Sequence, residues 1–496
     1  MKFKTLILLL LFSNILFAQE NMSLEECRKM ALEHNQKIQI ATEGKGAATE
    51  LKKAVKTQFL PNISFNGAYT RVNKKFSLLE NDMFLPVIPA GAISDGKING
   101  AALTPPTAEQ PNPYFDQALF ASTFAINPNT GAPILDEDGN PVFQSYTYLP
   151  ADKAKIGSKN IFLMNIGLTQ PIYTGGKIKE TYKISKYTEN LADENKKIKI
   201  SDIIYKTDEA YWRVISVKEK VKLAEKYKQM LVDLLKDLEN YYNEGIITNN
   251  DLLKAKVKLN EVNLKLLQAK NGLSLSKMAL CQIIGLPLDS DITLTDSLSG
   301  VYKINIDKDY KNIALNNRAE IKLLENTINI SESGVNIMKS RYLPNIGFTA
   351  NYMFSNPNPY NGFSEDFGSD WNMGIVCNIP IYHWGDKKHT LKAAKHNKKI
   401  NELKLDEAKE LISLQVKQAV FKSNESIIKV QMTELSLAQA EENLKDTKNK
   451  FNEGILKTFD LLDAQAMWQN AYSNYIDALT ENKLNKTNLL KVTGQL

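Results

Sequence analysis

The feature that most constrains this chain is a helical hairpin tip written twice. Residues 242–253 read YNEGIITNNDLL and residues 451–462 read FNEGILKTFDLL, at a constant offset of 209. Tyr242 answers Phe451, Gly245–Ile246 answers Gly454–Ile455, and Asp251 answers Asp460. In each copy a long helical pattern stops at a glycine, the residue that most readily takes the left-handed turn ending a helix. The pattern restarts near an aspartate placed to accept from the free N–H groups of the next helix. Two tips at one offset define a duplicated architecture.

The duplication runs through the rest of the chain. FLPNISFNGAY at 59–69 matches YLPNIGFTANY at 342–352, and Ala31–Leu32 and Ile38 match Ala314–Leu315 and Ile321, all at offset 283. Pro171–Ile172–Tyr173 matches Pro380–Ile381–Tyr382, and Gly285 matches Gly494, at offset 209. The 74 residues between the two offsets are surplus in the first half, in segment 72–160. That segment is rich in Pro, Gly, Asn and Ala without sustained periodicity, and reads as a long loop between two strands. The divisions expected are a leader over 1–18, a first repeat over 19–290 and a second over 291–496.

Helices and strands follow from periodicity. Residues 23–57 carry a helical pattern opened by Ser23 and Glu26 as a capping box. A second helical stretch from about Lys177 to Tyr242 is roughly 100 Å long at 1.5 Å per residue. A returning helix from Asp251 to about Ile284 is half that length. In each half, the helix before the strands and the helix after the tip, stacked end to end, match the long helix beside them. Apolar and polar residues alternate in four stretches of about ten residues. Ile63, Phe65 and Tyr69 face away from Asn62, Ser64 and Asn66; Phe162, Met164, Ile166 and Leu168 from Asn165 and Thr169. Ile346, Phe348, Ala350 and Tyr352 form a third apolar face, and Trp371, Met373, Ile375 and Cys377 a fourth.

Composition sets the address. Lys2 and Lys4 precede an apolar run from Leu6 to Phe17, too short to span a bilayer and suited to a secretory signal cut after Ala18. The net charge of +6 comes from 62 basic and 56 acidic residues interleaved along helices, the pattern of a solvated surface, so nucleic acid is not an expected partner. Three cysteines, Cys27, Cys281 and Cys377, show no metal-ligand spacing. His383, His389 and His396 are spaced so that no two share a metal within one helix. With no nucleophile elbow or phosphate loop, no enzyme activity, metal or cofactor is expected.

Strands with one apolar and one polar face, each long enough to cross a bilayer when tilted, suit a membrane β-barrel. An open edge in hydrocarbon leaves backbone groups unsatisfied, and four strands are too few to close, so copies must associate. The doubled NEGI…DLL tips, the LPNI strand starts and the PIY strand ends, in this order and spacing, resemble the TolC family of outer membrane efflux proteins. That resemblance covers the mature chain outside 72–160. It implies a mainly α fold with a membrane β-barrel portion: a homotrimer with a twelve-stranded barrel continuous with a periplasmic α-helical barrel. It implies an outer membrane exit duct working with a periplasmic membrane-fusion adaptor and an inner-membrane pump of RND, ABC or MFS type. The alternative is a periplasm-spanning tether or surface receptor without a conducting lumen.

The resemblance also distributes roles among the tip residues. Asp460 and Asp463, one helical turn apart, match aspartates that ring the periplasmic entrance; the alternative is charge complementing a helix N-terminus. Asp251, Tyr242, Phe451 and Leu456 fall at latch positions between hairpins. Phe451 stands where the family has a gating tyrosine and Leu456 where it has an arginine, which points to a more hydrophobic latch. Gly245, Ile246, Gly454 and Ile455 form the tips that meet the adaptor.

Overall fold

The computed structural model describes residues 20–305 and 308–496, so the leader and its cleavage point lie outside the described residues. The chain forms two compact units. Of the described residues, one contains 20–58, 174–305, 308–345 and 379–496; the other contains 59–173 and 346–378.

The first unit is helical. In chain order it holds α1 (Leu24–His34), α2 (Gln36–Lys56), α3 (Lys177–Asn243), α4 (Asn249–Ile284), α5 (Tyr310–Asn317), α6 (Ala319–Ser340), α7 (Asp386–Asn452) and α8 (Thr458–Val492). α3 and α7 have 67 residues each and begin at equivalent left-handed glycines, Gly176 and Gly385. Strands Glu20–Met22 and Ile292–Leu294 pair in parallel beside them.

The single helix expected over 23–57 is in fact two. It breaks at Asn35, whose side-chain oxygen accepts from the Lys37 N–H and whose amide donates to the Ile283 carbonyl at 3.0 Å. Its counterpart Arg318 separates α5 from α6 and donates to the Val492 carbonyl at 3.2 Å. These breaks receive the ends of the returning helices. Gly285 closes α4 at φ +81, and a β-carbon there would stand 2.5 Å from His34 Cβ. Gly494 follows α8 at φ +69, and a β-carbon there would meet the Asn317 carbonyl carbon at 2.9 Å. Two short helices thus abut in each half, and glycine is required both by the turn and by the close approach.

The main core lies where both hairpins meet. Ile203, Tyr211, Trp212 and Leu223 of α3 pack with Leu280 and Cys281 of α4, Val430 of α7 and Trp468 and Ile476 of α8. Asp208, fully buried, accepts from Arg28 Nε at 2.7 Å, from Arg28 Nη2 at 2.6 Å and from the Thr487 hydroxyl at 2.6 Å. Burial pushes the Cys27 thiol up to about 12, and Cys27 and Cys281 are both unbonded.

The seam between α3 and α8 is also crossed by ion pairs, Lys220–Asp477 at 2.6 Å and Lys491–Asp202 at 2.7 Å. The positions one offset away on α7 and α4 are different in kind. Asp202 becomes Leu411, Tyr205 becomes Leu414, Asp477 becomes Gln268 and Lys491 becomes Gln282. Trp212 is 7% exposed on α3, whereas Phe421 of α7 is 71% exposed; Ile476 of α8 is 3% exposed, whereas Leu267 of α4 is 56%. One copy of the seam is covered and the other is bare.

The second unit is a meander of β1 (Asn62–Arg71), β2 (Asn160–Tyr173), β3 (Asn345–Asn356) and β4 (Gly368–Asn378), in the order β4-β3-β2-β1. Register aligns the faces. Ile63, Leu168 and Ala350 lie in one row, and Phe65, Ile166 and Tyr352 in the next, all on the apolar face. On the other face Ser64, Gly167 and Asn351 align, then Asn66, Asn165 and Met353. Asn351 donates to Asn372 at 3.1 Å. The apolar face carries exposed residues, including Phe65, Trp371 and Ile375, and among the described residues β1 and β4 have unpaired outer edges. The 72–160 segment carries two-stranded ribbons, Met83–Pro86 with Tyr146–Leu149 among them, and a short helix at Gln117–Thr123. Among the described residues no helix is long and apolar enough to cross a membrane.

Two expectations follow. Gly285→Ala or Gly494→Ala should cost far more stability than Gly245→Ala or Gly454→Ala, measured by denaturant unfolding. At the tips a β-carbon meets nothing within 4 Å, leaving only the left-handed penalty of about 1–2 kcal/mol. The second concerns pH. Hydrogen bonds from Lys52 and Lys45 of α2 hold Glu189 and Asp193 of α3 below the usual carboxylate range, and Lys398 of α7 does the same for Glu332 of α6. A carboxylate with a depressed folded pKa contributes stability above its unfolded value and loses it as pH falls. The melting midpoint should therefore drop modestly as pH passes below about 4, followed by far-ultraviolet circular dichroism.

Candidate functional site at the hairpin tips

Each long helix ends in the same way because the same residues end it. In α3 the Gly245 N–H bonds the Tyr242 carbonyl at 3.0 Å and the Ile246 N–H reaches back to Tyr241 at 2.8 Å. In α7 Gly454 bonds Phe451 at 3.0 Å and Ile455 bonds Lys450 at 2.9 Å. This double return needs a left-handed residue, and Gly245 and Gly454 have φ of +75 and +76. Ile246 and Ile455, just beyond, are exposed. An apolar residue turned to water at each tip is a ready contact for another surface.

The aspartates that follow serve the next helix. The Thr248 hydroxyl donates to Asp251 at 2.7 Å, and the Lys457 N–H donates to Asp460 at 2.9 Å. Both carboxylates are half-buried at the first turn, where the helix dipole favours negative charge. Asp463 is exposed and lines a groove of about 540 Å³ with Phe459, Leu462, Leu253, Lys254 and Val257. So Asp460 is tied to its own helix start, while Asp463 is presented to solvent between α4 and α8.

Phe451 is buried with Leu234 and Leu238 of α3, Leu252 and Ala255 of α4 and Leu461 of α8. Its ring meets Tyr241 at 6.4 Å, edge to face, while Tyr242 is exposed and Leu456 half-buried. The structure therefore brings Phe451 to the first hairpin and leaves Tyr242, its counterpart, in water. Tyr241 was not singled out by sequence, because its counterpart is Lys450 and the duplication gave no signal there.

A family model for outer membrane efflux proteins matches residues 147–286 and 311–495, more than half of the chain. The chain belongs to that family. It is similar to the alkaline protease secretion protein AprF of Pseudomonas aeruginosa, 19% identical over 61% of this chain and 63% of AprF. It is also similar to the outer membrane protein TolC of Escherichia coli, 22% identical over 60% of this chain and 64% of TolC. The matches thus span less than two thirds of either relative. The Campylobacter jejuni CmeC outer membrane channel shares the fold, with a TM-score of 0.70 at 16% identity over 97% of this chain and 86% of CmeC. This outer membrane efflux protein is accordingly an outer-membrane protein reaching into the periplasm.

Truncating Phe451 in this efflux-family chain should open a cavity shared by both hairpins. Phe451→Ala is expected to cost about 3–5 kcal/mol locally. Hydrogen exchange should quicken in segments 234–255 and 444–462 while the main core stays protected.

Proposed function

We propose that this efflux-family chain is a passive exit duct of a tripartite efflux or type I secretion system, built from three copies. The two repeats, 19–290 and 291–496, would alternate around a ring, with twelve strands closing a barrel in the outer membrane. The apolar rows through Phe65 and Ile166 would face outer membrane lipid and the asparagine rows a wet lumen. The helices would close a cylinder in the periplasm.

The observation that carries this reading is the bare copy of a covered seam. Inside one chain α8 covers α3 with apolar packing and ion pairs. The equivalent face of α7, with Leu411, Leu414 and Phe421 exposed, has no such cover, and neither does the equivalent face of α4, with Leu267 and Leu275. Setting α7 of one copy against α4 of the next repeats the internal contact head to tail, and a contact of that type forms a ring where its rotation closes. The sheet asks for the same partner, since the free edge of β4 and the free edge of β1 belong to opposite ends of the meander. Apolar area with fewer charges than the internal seam is in keeping with the more hydrophobic character of obligate interfaces.

The tips supply the remaining roles. Three copies of Asp463, with Asp460 behind them, would set an acidic ring that favours cations at the periplasmic entrance. Phe451 with Tyr241 is an apolar contact between the hairpins of one copy, and Asp251, Tyr242 and Leu456 would complete the latch. Gly245–Ile246 and Gly454–Ile455 would meet a periplasmic adaptor, and an inner-membrane pump would supply energy, since a duct moves nothing uphill.

Two measurements on the mature protein test this. With Cys377→Ser as background, Lys429→Cys with Gln268→Cys occupies the equivalents of the internal Lys220–Asp477 pair, and a short bismaleimide should give covalent trimers. In planar bilayers a small cation-selective current is expected, losing selectivity in Asp460→Ala/Asp463→Ala. A monomeric mass with no current would sink the duct and leave a tether.

A further inference from the structure

The two seams should differ at one place where the duplication is broken by a large residue. Inside the chain, the turn from β2 into α3 carries Gly175 at φ +61. A β-carbon there would lie 2.8 Å from the Ser340 carbonyl oxygen and 2.9 Å from Leu343 Cβ, so the turn is pressed onto the end of α6. One offset away, in the turn from β4 into α7, the residue is Trp384. It is 85% exposed, its ring stacks edge-on against exposed Tyr382 at 5.2 Å, and its φ is +36. A bulky residue in the left-handed region is held against its own preference.

The strand leading into this turn is unfinished. β2 continues through Pro171 and Tyr173 because β3 pairs with it, Tyr173 lying opposite Ile346. β4 stops at Asn378, so the equivalent Pro380–Ile381–Tyr382 is unpaired and Ile381 almost wholly exposed. At offset 283 the residues equivalent to Ser340, Leu343 and Ile346 are Thr57, Leu60 and Ile63. Leu60 and Ile63 are exposed too.

Resting on the ring assembly proposed above, we infer that Trp384 is an intersubunit wedge, its indole seated on the Thr57–Leu60 segment of the next copy. When β4 pairs with the neighbouring β1, the turn carrying Trp384 arrives where the Gly175 turn arrives within the chain. A tryptophan cannot repeat the glycine's close approach, because even its β-carbon would overlap the carbonyl. The seam between copies is therefore wider at this level than the seam within a copy, and the indole fills the difference against Leu60. Trp384 and Gly175 alternate around the ring and set two spacings in turn. The turn is braced from its other side: Arg341 pairs with Asp386 at 2.6 Å, and Lys387 lies over the Tyr342 ring. The rival occupant of the same surface is phospholipid, which an exposed Trp beside a Tyr and basic residues would also suit.

The test uses the full mature chain with Cys377→Ser. Trp384→Cys with Leu60→Cys, treated with a short bismaleimide, should give covalent dimers and trimers that neither single variant gives. Trp384→Gly removes the wedge while relieving the left-handed strain, so the chain still folds; trimers resistant to sodium dodecyl sulfate should be lost, and Trp384→Phe should restore them. The emission removed by Trp384→Phe should be insensitive to brominated phospholipid. If the Lys429/Gln268 pair links copies but Trp384/Leu60 does not, and brominated lipid quenches that emission, the residue is a lipid anchor and the wedge is overturned with the ring intact. If neither pair links and the mass is monomeric, the ring itself fails and the wedge with it.

Discussion

The helical unit depends on making two short helices act as one. A helix of 67 residues offers a continuous surface, and no single short helix can cover it. The chain covers it in two pieces and must then deal with the junction, where four carbonyls at one end and four N–H groups at the other have lost their partners. Asn35 and Arg318 each donate a side-chain N–H to a carbonyl at the end of the arriving helix. Gly285 then lets the chain close on the His34 side chain, and Gly494 lets it close on the Asn317–Arg318 backbone, with no side chain of its own between. Remove that contact and the long helices lose cover at mid-length, where the Tyr211 and Trp212 core is built.

Much of this is legible in the sequence. The tips, the long helices, the returning helices and the four alternating strands stand where periodicity and duplication put them. The break at Asn35 was not legible, since Glu33, His34 and Asn35 are all compatible with a helix and only the Gly285 contact shows why it stops. The tip residues were found by repetition, but the partition of their roles was not. Nothing in the spacing of Asp460 and Asp463 tells that one carboxylate caps a helix and the other meets solvent. Phe451 reads in sequence as a departure from a family position; in the structure it is a buried member of a cluster drawn from four helices. Burial depends on which helix lies opposite, and one chain's sequence states that only through its duplicate.

Comparing equivalent positions yields more than either half alone. The exchange of Asp202 for Leu411, Tyr205 for Leu414 and Lys491 for Gln282 runs one way, from charged or polar to apolar or neutral. Ion pairs near a surface contribute little each, but within one chain they need only fix register. In the proposed contact between chains, lost translational and rotational freedom must also be offset, and apolar area is the larger source.

That division has a consequence for the order of events. The contact of α3 with α8 is made by parts already tethered, at an effective concentration that dilution cannot alter. In the proposed ring, the faces of α4 and α7 wait for a collision. Until then each newly folded copy carries Phe421, Leu267 and Ile381 in water, along with two strand edges open to any extended backbone. If the ring assembles as proposed, the interval between folding and meeting a second copy is thus the hazardous one, and its length is set by how many chains share the compartment, not by how stable any of them is.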